Sequence, residues 1–194
     1  MYMDLINSGP LSRSLHIWKI KVPLRIKIFM WFVHKGVVLT KDNLIKRRWI
    51  GRSTCCYCDQ NETIRHLFLD CPLAKLLWRT VHIAFNINPP TSINMLFGTW
   101  LNGVDSTLAN HIRIGISALF WAIWDTRNGM IFQGKKLNNF LQVIYRATSW
   151  IHTWSLLNHV DNREHMDIGC NRWETVARAI FSRFGWRAVN RLGV

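Results

Sequence analysis

Four metal-binding side chains fall within seventeen residues of this chain, between positions 55 and 71. Cys55 and Cys58 form a C-x2-C pair, His66 follows, and Cys71 closes the segment. A C-x2-C turn places two thiolates on one side of a small cavity, and a later His and Cys can complete a tetrahedron around Zn²⁺. When all four ligands come from the protein, the site is structural and has no open position for a catalytic water. The spacing therefore predicts one structural Zn²⁺ per chain.

Two other interpretations of the cysteines agree less well with the sequence. Free Cys is often buried, and Cys56 is predicted to be such a bystander. A disulfide framework disagrees with the odd total of five cysteines, with the isolated Cys170 and with the lack of an apolar secretory segment at the start. His159, His165 and Cys170 match no metal-ligand spacing. Residues 59–62 are acidic or amide side chains and are expected to form an exposed loop between the ligand pairs.

The second half of this segment carries a recognisable motif, H-L-F-x-x-C-P at positions 66–72, followed by Ala74 and Trp78. It resembles the zinc-binding region of plant non-LTR retrotransposon (LINE-type) reverse transcriptases, in which C-x2-C and a short acidic loop precede the same motif. The resemblance covers roughly residues 15–135 and implies a zinc-binding domain associated with a reverse transcriptase. The other matching positions are Trp18, Lys19, Val22, Pro23, Phe29, Met30, Trp31, Leu39, Thr40, Leu44, Arg47 and Arg48 upstream, and Trp121, Ala122, Ile123, Trp124, Arg127, Asn128 and Phe132 downstream.

Hydrophobic periodicity predicts a mainly α-helical fold, with the small zinc-knuckle-like CCHC loop between helices. The expected helices cover 23–35, with an apolar face at 24, 28, 31 and 32, and 40–48, with Leu44 and Ile45 inward. Further helices are expected over 72–88, 93–101, 106–132, 137–157 and 173–184. The helix over 106–132 is apolar nearly all round and should be central. Apolar and polar residues partly alternate over 15–22, which favours a strand or extended arm. Residues 158–170 are expected to be a loop.

These patterns divide the chain into four regions. Residues 1–14 are expected to be a flexible lead-in, and residues 15–90 the zinc-binding domain. Residues 91–157 should form a Trp-rich helical extension, and residues 158–194 a loop with a basic C-terminal helix. Trp121 and Trp124 are predicted to pack in the core, and Arg127 with Asn128 to make structural hydrogen bonds.

The positive charge is concentrated near the predicted metal loop. The net charge is +14, and residues 1–54 contain eleven Lys or Arg and two Asp. Such an excess favours a polyanionic partner, because Lys and Arg bind phosphates with release of counterions. The same cations could instead balance a zinc centre with three thiolates, or form a solvated helix end. The candidate nucleic-acid-binding residues are Lys46, Arg47, Arg48, Arg52 and Arg65.

Catalytic carboxylate pairs are missing from the sequence. A polymerase holds two metals with paired carboxylates, and the aromatic-Ala-Asp-Asp turn of reverse transcriptases has no counterpart here. A ribonuclease H domain needs several clustered carboxylates, and the densest group, Asp161, Glu164 and Asp167, lies in the predicted loop. No phosphate-binding Gly loop or nucleophile elbow occurs. The chain is therefore predicted to be non-catalytic, either a fragment of a retroelement polyprotein or a gene derived from one.

Three functions remain open at this point. The first is a zinc-stabilised module that contacts RNA or DNA for a reverse transcriptase. The second is a docking module that uses its Trp-rich helices to bind the reverse transcriptase or ribonuclease H domains of the parent polyprotein. The third is an inactive remnant. The start of the chain has no signal-peptide pattern and no stretch is apolar enough to span a membrane, so we expect an intracellular protein, nuclear or cytoplasmic, without membrane contact.

Overall fold

The computed structural model describes residues 15–185, which are mainly α-helical. The described residues contain no β-strand, only an isolated bridge between Thr54 and Asn61. The predicted mainly α fold with a CCHC loop between helices is therefore confirmed. The helices are α1 (Leu15–Lys19), α2 (Leu24–His34), α3 (Lys41–Lys46), a π-helical turn (His66–Asp70), α4 (Pro72–Phe85), α5 (Ile93–Phe97), α6 (Ser106–Gln133), α7 (Leu141–Ser155) and α8 (Val160–Phe184).

Helix α6 lies at the centre of the fold, as its apolar character predicts. Asp105 caps its N-terminus by accepting from the N–H groups of Thr107 and Leu108. Its inner residues Phe120 and Ile123 are buried, and it packs against α7, which in turn packs against α8. Trp121 and Trp124 pack against the core as predicted. One hydrophobic cluster joins residues from 15–90, 91–157 and 158–185.

The sequence predicts a loop over residues 158–170, but this prediction is wrong. Most of these residues form the first half of α8. Met166, Cys170, Trp173 and Ala177 are buried at intervals of four and three residues, which is one face of a helix. The polar residues between them hide this periodicity in the sequence. The Trp173 indole donates to the Thr80 hydroxyl at 2.7 Å and fixes α8 against α4.

The N-terminal elements also differ from the prediction. Residues 15–19 form α1 rather than a strand or extended arm, and Ile17 on this helix is buried in the core. Helix α2 is present, but Leu24, Ile28 and Phe32 are partly exposed. This helix is apolar on more than one side. The side that the core covers carries Ile26, Phe29, Met30 and Val33.

The remaining helices are shorter than predicted. Helix α3 ends at Lys46, and Ile45, predicted to point inward, is partly exposed. Ser92 caps α5 by accepting from the Met95 N–H, but α5 ends at Phe97, before Gly98. Helix α7 begins only at residue 141. No helix in residues 15–185 is long and apolar enough to cross a membrane. The expected lead-in, residues 1–14, lies outside the described residues.

Candidate metal centre

Backbone hydrogen bonds fold the loop that carries the first ligand pair. The Cys55 N–H donates to the Gln60 carbonyl at 2.8 Å, and the Glu62 N–H donates to the Ser53 carbonyl at 2.8 Å. The Tyr57 N–H donates to the Cys55 sulfur at 3.4 Å. The chain therefore doubles back between positions 53 and 62, which turns both ends of the C-x2-C pair toward the segment that follows.

A π-helical turn positions the second ligand pair. The Cys71 N–H donates to the His66 carbonyl, five residues earlier, at 2.7 Å, which is the hydrogen bond that defines a π turn. Turns of this type occur frequently at functional sites. Buried apolar residues hold the turn in place, and Phe68 stacks on Phe120 of α6 with ring centroids 4.5 Å apart. Cys71 is also the N-cap residue of α4, where the helix macrodipole favours a thiolate.

The four predicted ligands converge. One donor atom from each of Cys55, Cys58, His66 and Cys71 lies within 4.8 Å of the other three. The Cys58 sulfur is 3.1 Å from Nε2 of His66 and 4.0 Å from the sulfur of Cys71. A tetrahedron with Zn–S bonds of about 2.3 Å has S–S edges of about 3.8 Å. The donor set and its size therefore fit one four-coordinate Zn²⁺.

The thiols of this cluster influence one another strongly. Hydrogen bonds from Cys56 and then Cys71 lower the pKa of Cys55 to about 2, and the contact with Cys55 raises the pKa of both donors. Burial raises the pKa of Cys58. Three thiolates at these distances repel one another unless a counter-charge lies between them. A divalent cation would supply that charge and stabilise all three as thiolates.

A second group, Cys55, Cys56 and Glu62, also has donor atoms within 4.8 Å of one another. It offers only three ligands, and Glu62 is already engaged. Its Oε1 accepts from Arg127 Nη2 at 2.6 Å and from the Lys41 N–H at 3.0 Å. The cluster with His66 is therefore the better zinc site. Neither group in the described residues includes His159, His165 or Cys170, and all five cysteines are free thiols.

Glu62 joins the metal loop to two helices, a role that sequence reasoning missed. It was expected in an exposed loop, but its side chain is fully buried, as is that of Arg127 on α6. Its carboxylate receives two guanidinium nitrogens of Arg127 and also caps α3 at Lys41. Arg127 further donates to the Asn128 side chain at 2.9 Å, which confirms the structural role predicted for this pair. The signal in the sequence was Arg127 itself, a charged residue on the buried side of α6, because a buried charge needs a partner of opposite charge.

Tyr57 provides a further link between the loop and α6. Its buried hydroxyl donates to the Ile123 carbonyl at 3.0 Å, and burial raises the pKa of this phenol. Together with the stack of Phe68 on Phe120, this places the metal loop against the middle of the central helix. Helix α6, which belongs to the extension predicted over 91–157, is therefore in direct contact with the metal loop and with the π-helical turn.

The five candidate nucleic-acid-binding residues are exposed on or beside the metal loop. Lys46 lies 3.6 Å from Asp42 and donates to Asn43, and Arg65 pairs with Asp70 at 2.8 Å. Arg47, Arg48 and Arg52 form no ion pair or side-chain hydrogen bond with any residue in 15–185. Arg48 has a left-handed backbone, with φ of 66°, and this turns the chain away from α3.

A groove of about 510 Å³ beside α4 adds basic residues that the prediction did not include. Lys75 and Arg79 are exposed on its wall and lie four residues apart, so they share one face of α4. Arg65 and Asp70 lie at the same groove. The spacing of Lys75 and Arg79 on the predicted helix over 72–88 was the signal for this surface.

Comparison with known proteins agrees with the metal centre. Residues 7–78 match the family described as zinc-binding in reverse transcriptase. The chain is also 32% identical, over 63 residues, to an Arabidopsis thaliana protein whose name gives it as a ribonuclease H protein. That match covers 32% of this chain and 10% of the relative, so the chain spans about a tenth of the curated relative it matches. No solved structure shows a significant match.

These matches confirm the resemblance over residues 7–78. Residues 7–78 are similar to the zinc-binding region of reverse transcriptases. Within them Cys55, Cys58, His66 and Cys71 would form one structural zinc site. Bound there, the ion would crosslink the loop and the start of α4. The family match ends at Trp78. The predicted likeness of segment 121–132 therefore stays a prediction, although Arg127 from that segment contacts the metal loop.

Proposed function

We propose that this chain is a non-catalytic accessory module of a retrotransposon-derived reverse transcriptase that holds RNA or DNA against its zinc-stabilised loop. The observation that carries the proposal is that Arg47, Arg48 and Arg52 are exposed and have no ion pair or side-chain hydrogen bond to any residue in 15–185, beside a loop on which four metal-binding side chains converge. Unpaired cations in fixed positions on a surface favour phosphate binding. Cations recruited only to balance the zinc centre, with its one net negative charge, would instead be expected to lie against the thiolates.

The orientation of this surface comes from the buried contacts behind it. Glu62 binds the N-terminus of α3 at Lys41 and Arg127 on α6, so the helix that leads into Lys46, Arg47 and Arg48 is fixed to the core. Lys75 and Arg79 extend the positive surface along α4. A nucleic acid bound to the loop could therefore continue into the α4 groove.

The test is a titration of purified protein with labelled RNA and DNA over a range of salt concentrations. We expect affinity to fall steeply with salt, by about one unit of log–log slope for each phosphate contact. Changing Lys46, Arg47 and Arg48 together to Ala should weaken binding about equally for unrelated sequences and flatten the slope. The zinc content should not change, because none of the three is a ligand.

The matched control removes the same charge elsewhere. Arg172, Arg178 and Arg183 are exposed on α8, and changing all three to Ala should leave the slope unchanged. If this variant loses the slope while the first keeps it, α8 and the basic segment that follows it form the binding surface instead. Absence of salt-dependent binding by the unaltered protein would refute nucleic-acid binding altogether.

The proposal also expects no primer extension and no cleavage of RNA–DNA hybrids by this chain alone, because the sequence lacks the carboxylate pairs these reactions need. Activity that persists through repurification would contradict this. A nuclease contaminant is excluded if the activity elutes with the zinc-containing peak.

One observation favours protein docking as a second candidate function. Leu156, Leu157 and Val160, at the turn between α7 and α8, are 65%, 52% and 72% exposed and lie at a groove of about 480 Å³. Exposed apolar clusters commonly mark interaction sites. Binding of the parent reverse transcriptase or ribonuclease H domain, lost when the two leucines become Ser, would support docking, and it would occur without a steep salt dependence.

A further inference from the structure

Trp49 is an aromatic residue that the core does not use. The structure describes ten tryptophans, and eight of them are buried or packed against the core. The two exceptions are Trp18 and Trp49, which are 42% and 41% exposed. Trp49 follows Arg47 and Arg48 directly, in the sequence K-R-R-W-I-G-R, and so lies among the cations of the proposed binding surface.

Local contacts hold Trp49 in place. Its backbone N–H donates to the Leu44 carbonyl at 3.1 Å. Its ring lies over Gly51, where an added Cβ would come within 2.0 Å of the ring carbon Cη2. The close approach explains the glycine at this position, since any side chain would displace the indole. The ring therefore rests against backbone while a large part of its surface is exposed to solvent.

The neighbours of Trp49 determine what could cover that surface. Arg47, Arg48 and Arg52 are exposed and pair with no side chain within the part of the chain that the structure describes. This disfavours an apolar protein partner and favours a polyanion. Between a single strand and a duplex, the single strand combines phosphates with free base faces, because a duplex keeps its bases stacked on one another. Aromatic side chains next to a positive surface are the usual means of binding single strands without sequence preference.

We propose that Trp49 is a stacking platform for an unpaired base, so that the ligand of this surface is single-stranded RNA or DNA rather than a duplex. This inference rests on the proposed function, since it assumes that the basic surface binds nucleic acid. It adds the class of ligand and a residue that acts through its ring. Arg47, Arg48 and Arg52 bind phosphates, and Trp49 binds the base between them.

The test compares three kinds of labelled probe by fluorescence anisotropy. They are a twelve-nucleotide single strand, prepared as RNA and as DNA, the corresponding duplex, and an abasic strand of the same length. Trp49→Ala should weaken single-strand binding by about 5- to 150-fold, the range for one stacked base. Binding to the abasic strand and the salt slope should stay unchanged, because no phosphate contact is lost. Trp49→Phe should recover part of the affinity.

Two further variants and the zinc content serve as controls. Trp18→Ala removes an equally exposed tryptophan from α1 and should leave all three affinities unchanged. Zinc content should remain one per chain in Trp49→Ala. Gly51→Ala keeps the indole but displaces it, and should weaken single-strand binding in the same direction as Trp49→Ala.

The outcomes separate this inference from the proposed function. If the unaltered protein binds single strands with a steep salt dependence and Trp49→Ala binds equally well, the stacking role is wrong and the basic surface stands. The stacking role is also wrong if Trp49→Ala weakens the abasic strand or the duplex as much as the single strand. If the unaltered protein binds no probe, the proposed function itself fails.

Discussion

At the scale of single residues, the metal centre assigns different roles to two adjacent cysteines. Cys55 belongs to the cluster with His66, whereas Cys56 packs against the core next to Glu62. Their thiols contact each other, so proximity alone does not distinguish them. The decisive difference is the partner, because Glu62 is already saturated by Arg127 and the Lys41 N–H.

We therefore expect Cys58→Ser to lower the zinc content well below one per chain, and Cys56→Ser to leave it near one. A hydroxyl is a far weaker zinc ligand than a thiolate, and structural sites depend on all four ligands. Metal analysis of purified protein measures the ratio directly. If Cys56 proves essential and Cys55 dispensable, the C-x2-C register is wrong by one residue.

The buried pair of Glu62 and Arg127 should be sensitive to loss of either partner. Arg127→Ala leaves a buried carboxylate without its counter-charge and should cost about 3–5 kcal/mol of unfolding free energy. Arg146→Ala is the matched control, because Arg146 forms a similarly short ion pair with Asp125 at the surface. This change should cost about 0–1 kcal/mol of unfolding free energy. Equal losses in urea denaturation would show that the Glu62 pair is not buried in solution.

At the scale of elements, α8 shows how a helix can be hidden in its sequence. Its first half carries mostly polar residues, and Gly169 interrupts it. Helical order there depends on burying four residues against α4 and α7, rather than on propensity. A mostly polar helix is stable when its few apolar residues all lie on the packed face.

This assignment predicts that Gly169→Ala stabilises the protein by about 0.5–1 kcal/mol, because alanine loses less backbone entropy in a helix. Among the described residues, a Cβ at this position would meet only Phe85, at an ordinary contact distance of 3.8 Å. The control is Gly134→Ala at the end of α6, where φ is +61°, and this change should destabilise the protein. Thermal denaturation measures both changes. A neutral or destabilising effect of Gly169→Ala would favour the loop predicted over residues 158–170 instead of a helix.

At the scale of the whole molecule, the metal loop and the helical core depend on different forces. Positions 49–65 carry little regular structure, and few of their side chains are buried. Helix α6 packs on α7, and α7 packs on α8, through contacts that do not include the loop. Zinc should therefore order the loop and orient its arginines without being needed for the helices around α6.

Removal of zinc by a chelator should consequently raise amide hydrogen exchange over residues 49–71 and leave α7 and α8 largely protected. Acidification should have the same local effect, since protons compete with the metal for the thiolates and imidazole, so zinc affinity falls as pH falls. Exchange measured by mass spectrometry with peptide resolution distinguishes the regions. Loss of protection throughout α7 and α8 would show that the whole fold depends on the metal.

What the sequence by itself determined about this protein is the local chemistry. The zinc ligands lie within seventeen residues, so the spacing of Cys and His side chains limits how they can converge, and Pro72 marks the helix that begins beside Cys71. The long apolar run of α6 also identified the central helix. Each of these follows from neighbours along the chain.

Only the tertiary structure decided which charges are buried and which polar segment is helical. Glu62 and Arg127 are 65 residues apart, and neither neighbourhood indicates that the two meet. The face of α2 that enters the core and the helical state of residues 160–170 depend in the same way on surfaces supplied by distant helices. Burial is a property of the assembled molecule, because a side chain loses water only when another part of the chain covers it.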